Sequence, residues 1–82
     1  MNENIKNNVI KILNKYIFDK KIWDKAPDNP KIISDLKINS ARIVDVVLDI
    51  EELYNIEIDE NTLERIFTLN DIVKIIEEKI RK

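Results

Sequence analysis

The sequence predicts an all-α fold, a four-helix bundle with a long first loop and a short third helix. Three observations lead to it. Apolar residues recur at helical spacing along most of the chain. Both prolines, Pro27 and Pro30, fall in one stretch, Ala26-Pro27-Asp28-Asn29-Pro30, where no helix can continue. The 82 residues read as one domain spanning 1–82, with no internal repeat and no low-complexity segment. A chain of this size buries only about 60–65% of its unfolded surface, so its stability rests on a few apolar faces.

Each element follows from its own pattern. Ile5, Val9, Ile12, Leu13 and Tyr16 form one stripe and predict a first helix over about 4–17. Residues 18–39 are the irregular part. A connection of about 20 residues is long for a small domain and is usually ordered by its own packing. Ile22, Trp23, Ile32, Ile33, Leu36 and Ile38 supply anchors for it, so it should lie over one end of the bundle, with Trp23 as a core anchor. A second helix begins near Ser40 and turns Ile43, Val46, Val47, Ile50 and Tyr54 inward. Arg42, Asp45, Asp49 and Glu52 occupy its outer side. With no glycine in the chain, Asn55 is the expected left-handed residue that ends this helix. Residues 60–66, with Leu63, Ile66 and the adjoining Phe67 apolar, predict one or two helical turns. In the last helix Leu69, Ile72, Val73, Ile76 and Ile80 should face inward. Thr68 or Asn70 is placed to cap it, and Lys79, Arg81 and Lys82 suit its C-terminal dipole.

Composition excludes several kinds of chemistry. The chain has no cysteine and no histidine. It therefore lacks a thiolate, the commonest general base and the commonest transition-metal ligand. A free-standing enzyme, a zinc site or a redox centre is not expected. The acidic set around Asp59 and Glu60 lacks the alternating spacing and the glycine of a calcium loop, and reads as surface. Charges interrupt every apolar stretch well short of a membrane span. Met1-Asn2-Glu3-Asn4 has no basic region of a signal peptide, so a cytoplasmic protein is expected.

The net charge of −2 conceals an asymmetry. Residues 1–34 carry seven lysines against four acids, +3, whereas 35–65 carry nine acids against three basic residues, −6. The last 17 residues come to +1. A central field of that sign repels nucleic-acid phosphates and attracts basic protein surfaces. A solvated acidic face is nevertheless the commoner reason for such a stripe.

Ser40, one of only two serines, stands where the acidic second helix begins. A serine at that place is most often a plain N-cap. Here Asn39 is itself an excellent N-cap, which would leave the Ser40 hydroxyl free at the first helical position. No base lies near Ser40 in sequence, so it is not a self-activated nucleophile of the triad kind.

Asp35-Leu36 ahead of Ser40, Val44-Asp45 and Glu51-Glu52 after it, and Tyr54-Asn55-Ile56-Glu57-Ile58 beyond, together resemble the acyl carrier protein family. The match runs from Asp35 to Ile58 without a gap, and Thr68-Leu69-Asn70-Asp71-Ile72 looks like the start of the family's closing helix. The resemblance implies a four-helix bundle of acyl-carrier type. It also implies that Ser40 receives 4'-phosphopantetheine from coenzyme A through a phosphopantetheinyl transferase. The arm's thiol would carry acyl or aminoacyl groups as thioesters to loading and biosynthetic enzymes, in fatty-acid, other lipid or secondary-metabolite synthesis. A phosphodiester there would sit at a helix N-terminus, which favours an anion. The protein would be a monomeric shuttle and no catalyst. Asn39, Ala41, Arg42, Asp45, Asp49 and Glu52 would form the partner-binding surface. Three of these depart from the family pattern: Asn39 replaces the usual Asp, Ala41 the usual Leu, and Arg42 an acidic or small residue. They point to a specialised member in which Arg42 narrows the range of partners. The alternative is a small helical interaction module that keeps the fold and carries no prosthetic group.

Overall fold

The computed structural model of the chain describes residues 3–81. Helix α1 is Glu3–Asn14, α2 is the single turn Ile22–Lys25, and a 3-10 turn, Ser40–Arg42, leads into α3, Ile43–Tyr54. A one-turn α4, Glu60–Leu63, precedes α5, Leu69–Ile80. Helix α1 is the element against which both α3 and α5 pack. Its stripe Ile5, Val9, Ile12 and Leu13 is buried, and meets Val46 and Ile50 of α3 and Leu69, Ile72, Val73 and Ile76 of α5 in one core. This is the expected bundle of three long helices and the short α4, with a further single turn, α2, inside the long connection.

The helix ends follow local chemistry. α1 stops three residues before the expected Ile17, because the chain tightens there into bonds from the N–H of Lys15, Tyr16 and Ile17 to carbonyls three residues back. Ile17 stays buried, and the ammonium of Lys20 donates to the carbonyls of Asn14, at the end of the helix, and Ile17 beyond it. Asn55 ends α3 in the left-handed region (φ 54°), as its side chain tolerates. The Glu51 carboxylate accepts from the Ile58 N–H at 2.7 Å and holds the chain as it leaves that helix. Asp59 caps α4 through the Thr62 N–H at 2.8 Å. Thr68, and not Asn70, caps α5: its hydroxyl accepts from the Asp71 N–H, while the Asp71 carboxylate accepts from the Thr68 N–H, a reciprocal box. Burial pushes the Asp71 carboxyl up, but the backbone N–H bonds from Phe67 and Thr68 outweigh it and hold the group below its ordinary range. Lys79 lies in the last turn of α5, while Lys82 lies outside the described residues.

The long connection is tied to the core at three kinds of contact. Pro30, Ile32, Leu36 and Ile38 are buried. The Ile32 N–H donates to the Phe67 carbonyl at 2.9 Å and the Leu69 N–H to the Pro30 carbonyl at 3.0 Å, so the loop is stitched to the start of α5. The Trp23 indole, half-buried, donates to Asn14 Oδ1 at the end of α1. Two expectations need correction. Ile33 is 53% exposed, because its neighbours Ile32 and Leu36 take the inward positions of the turn. Ile80 is 45% exposed, since α5 runs past the core at its last turn; Ile75 is buried in addition to the expected stripe. The turn α2 was legible only as its two apolar residues, Ile22 and Trp23.

Lys37 is in the left-handed region (φ 58°), which costs a residue with a Cβ roughly 1–2 kcal/mol. That geometry lets the flanking Leu36 and Ile38 both reach the core, each worth about 1.5–3 kcal/mol, so burial outweighs the strain. Lys37→Gly is therefore expected to raise stability by up to about 1 kcal/mol, the relieved strain less the added unfolded-state entropy. A loss of stability in urea unfolding would contradict this. Ile50→Ala should cost about 2–5 kcal/mol by opening a cavity in the small core. The same titration would refute the core assignment if Ile50→Ala were neutral.

Candidate functional site

Ser40 opens the 3-10 turn that leads into α3, and the backbone around it is fixed by Asn39. The Asn39 side chain, with its backbone extended at φ −60° and ψ 135°, accepts from the Ala41 N–H at 2.9 Å. The Asn39 carbonyl accepts from the Arg42 N–H at 2.8 Å. Asn39 thus does the capping, and the Ser40 hydroxyl is exposed with no hydrogen bond among the described residues. Among the described residues no carboxylate accepts a hydrogen bond from it. The other serine, Ser34, is also exposed but lies in the 31–36 turn, away from any helix start.

The outer side of α3 differs from a plain acidic stripe. The Arg42 guanidinium pairs with the Asp45 carboxylate at 3.1 Å, so the positive charge beside Ser40 and the first acid of the stripe largely offset each other. Asp49 accepts from the Tyr16 hydroxyl at 2.6 Å and from the Lys15 ammonium at 2.9 Å, and joins α3 to the turn after α1. The Tyr16 bond and then the Lys15 bond hold the Asp49 carboxyl below its ordinary value. In return Asp49 raises both the Lys15 and the Tyr16 values. Asp49 is therefore a structural tie as well as a surface acid, which its sequence position did not disclose. Glu52 is exposed and makes no ion pair among the described residues.

The sequence-predicted residues Asn39, Ser40, Ala41, Arg42 and Asp45 are contiguous on the turn and the first turn of α3, with Asp49 and Glu52 farther along the helix. Beside them stand Val44 and Leu48, 52% and 55% exposed, which the inward stripe passed over. Their i, i+4 spacing on a helix already supplied with a core face was the available signal. No histidine or cysteine adjoins the site, and no group of acids suited to a metal occurs among the described residues.

This is a small helical scaffold that presents the exposed hydroxyl of Ser40 at the head of a helix. No family model matches the chain. It is 40% identical over 56 residues to an acyl carrier protein of Thermotoga maritima, covering 68% of this chain and 69% of that one. It is 35% identical over 54 residues to an acyl carrier protein of Wolinella succinogenes, covering 66% and 71%, and 34% identical over 55 residues to one of Zymomonas mobilis, covering 67% and 70%. The chain belongs to the acyl carrier protein family. It is a carrier protein and not an enzyme.

The Asp49 tie has a measurable pH signature. A carboxyl whose folded value is lowered contributes fully above the ordinary range near pH 4 and loses that contribution as pH falls through its folded value. Asp49→Ala should cost about 1 kcal/mol at pH 7, a charged hydrogen bond discounted for partial exposure. Its difference from wild type should shrink as pH drops below about 4. Equal stabilities at pH 7 in chemical denaturation would show that the contact is only surface.

Proposed function

We propose that Ser40 is the attachment point of a 4'-phosphopantetheine arm, and that the protein carries acyl or aminoacyl intermediates on it between biosynthetic enzymes. The observation that supports this most is the division of labour at the head of α3. Asn39 takes the cap, so esterifying the exposed Ser40 hydroxyl breaks no bond of the fold. Membership in a family of acyl carriers supports the same reading.

The residues present fit such a group. The turn is open to solvent at Ser40, and Arg42, two residues on, supplies a cation near a phosphodiester. When bound, the arm supplies the thiol that this cysteine-free chain lacks. Ser40 itself provides only the nucleophilic oxygen. In attachment its Oγ bonds the pantetheine-side phosphorus of coenzyme A, and adenosine 3',5'-bisphosphate leaves. The hydroxyl proton passes to a base of the transferase. The chain's own part is to hold Ser40 outward at a fixed point and to offer the surface of Ala41, Arg42, Val44, Asp45, Leu48 and Glu52 to enzymes. With Arg42–Asp45 and Lys15–Asp49 paired, the charge left for basic partners on this helix is chiefly Glu52. Among the described residues no helix is long and apolar enough to cross a membrane. A monomer acting in the cytoplasm accords with the reading.

Co-expression with a phosphopantetheinyl transferase, followed by intact-mass and fragment spectra, tests it. One phosphopantetheine should be added at Ser40, and Ser40→Ala should carry none. Addition at Ser34 would overturn the Ser40 assignment, and none with a panel of transferases would favour the unmodified interaction module.

A further inference from the structure

The turn after α1 carries a side chain that the fold does not use. Phe18 is 104% exposed, although most large apolar residues of this chain find cover. Burying an aromatic ring is among the larger gains open to a small domain, and here it is forgone. Phe18 is held in place by its neighbours. Ile17 is buried on one side, and the Ile17 carbonyl is bonded by the Lys20 ammonium at 2.8 Å. On the other side Asp19 accepts the Lys21 N–H on its carboxylate at 3.0 Å and the Ile22 N–H on its carbonyl at 3.1 Å.

Phe18 lines a surface hollow of ≈ 480 Å³ together with Lys15, Tyr16, Ile17 and Arg42. Arg42 belongs to the same 3-10 turn as Ser40, so this hollow adjoins the modification site. The adjoining segment is rich in lysine, residues 15–25 carrying four against Asp19 and Asp24, while the hollow's own two cations stand beside Asp49 and Asp45. The ion pairs Lys15–Asp49 and Arg42–Asp45 are largely solvent-exposed on their cationic side, and such pairs exchange partners at small cost.

We propose that Phe18, with Lys15 and Arg42 beside it, is a docking anchor for the phosphopantetheinyl transferase, received in an apolar socket edged by carboxylates. The inference rests on Ser40 as the attachment site. An enzyme that acts on the Ser40 oxygen must sit over the Ser40–Arg42 turn, and so over this hollow, whereas enzymes acting at the end of a long arm need not. An aromatic side chain on a held backbone, flanked by cations, is the kind of group that dominates binding energy, since it buries a large area with only two side-chain torsions to fix. The sign of the expected complement is opposite to that for an acidic stripe. Partners that meet the chain here would be recognised by their carboxylates.

The test uses the full chain, coenzyme A and the transferase that modifies the wild-type protein with the highest kcat/KM from a panel. Phe18→Ser should raise the KM for the carrier by about tenfold or more, while kcat stays within about twofold, because the ring touches the partner and not the reacting atoms. Phe18→Leu should recover part of that loss. Arg42→Glu should also raise KM, most strongly at low salt. The thermal midpoint of Phe18→Ser should match wild type, since the ring packs on nothing. Unchanged KM in Phe18→Ser with normal Ser40 modification, or a lower KM in Arg42→Glu, would overturn the anchor and leave the Ser40 assignment standing. Failure of the wild-type chain to be modified at Ser40 would remove both. Sedimentation that showed a dimer lost in Phe18→Ser would assign the face to a second copy and reject the transferase.

Discussion

The burial of Pro30, Ile32, Leu36 and Ile38 is the interaction on which the rest of the structure depends. Three long helices of about a dozen residues each are marginal alone. What makes them one domain is a shared core into which the connection between α1 and α3 also feeds side chains. The same burial fixes the chain's path. It brings Ile32 and Pro30 against Phe67 and Leu69, places Lys37 in a left-handed turn, and delivers Asn39 to the head of α3. Ser40 is outward because the residues before it are inward. The proposed attachment point, at the turn that opens α3, is thus reached through a connection that the core itself holds.

Electrostatics at the site follow from the same packing. Once the loop ends at Asn39 and α3 lies against α1, Arg42 reaches Asp45, and the turn after α1 brings Lys15 and Tyr16 to Asp49. Two of the three outward acids of α3 are thereby engaged within the molecule. The remaining surface near Ser40 is a mixture of paired charges and exposed apolar groups, Val44 and Leu48 on the helix and Phe18 across from it. Charge in such a surface steers encounter and selects partners, while apolar anchors set lifetime. The departures from the family pattern at Asn39, Ala41 and Arg42 are consistent in this light. Asn39 carries no charge and Ala41 little apolar surface beside the serine, while the charge that Arg42 adds is paired with Asp45.

Features set by local chemistry were legible in the sequence. Asn39 as a cap, Asn55 as the left-handed terminator and, Ile80 apart, the inward stripes of the long helices each depend on a few adjacent residues and came out as read, and Thr68 was one of the two residues offered for the last cap. Features set by tertiary neighbours were not. Nothing local distinguishes Ile32, which is buried, from Ile33, which is exposed; only the stitch to Phe67 decides it. Asp49 looked like one more surface acid until the turn after α1 supplied Tyr16 and Lys15. Phe18 had no periodic partner and so was silent in the sequence, although its exposure is what marks it. Ile80 continued a helical stripe past the point where there was still a core to meet.

Amide hydrogen exchange followed residue by residue tests the central claim most directly, that the long connection is a rigid, core-bound segment presenting an unengaged serine. The account predicts that the amides of Ile32, Ile38 and Leu69, bonded to the Phe67, Ile32 and Pro30 carbonyls, are protected nearly as well as those of α1 and α5. The Ser40 amide, outside any bond, should exchange rapidly. Exchange of Ile32 and Leu69 at the rate of an unstructured peptide while the helices stay protected would contradict it, for Ser40 would then hang on a loop the core does not hold.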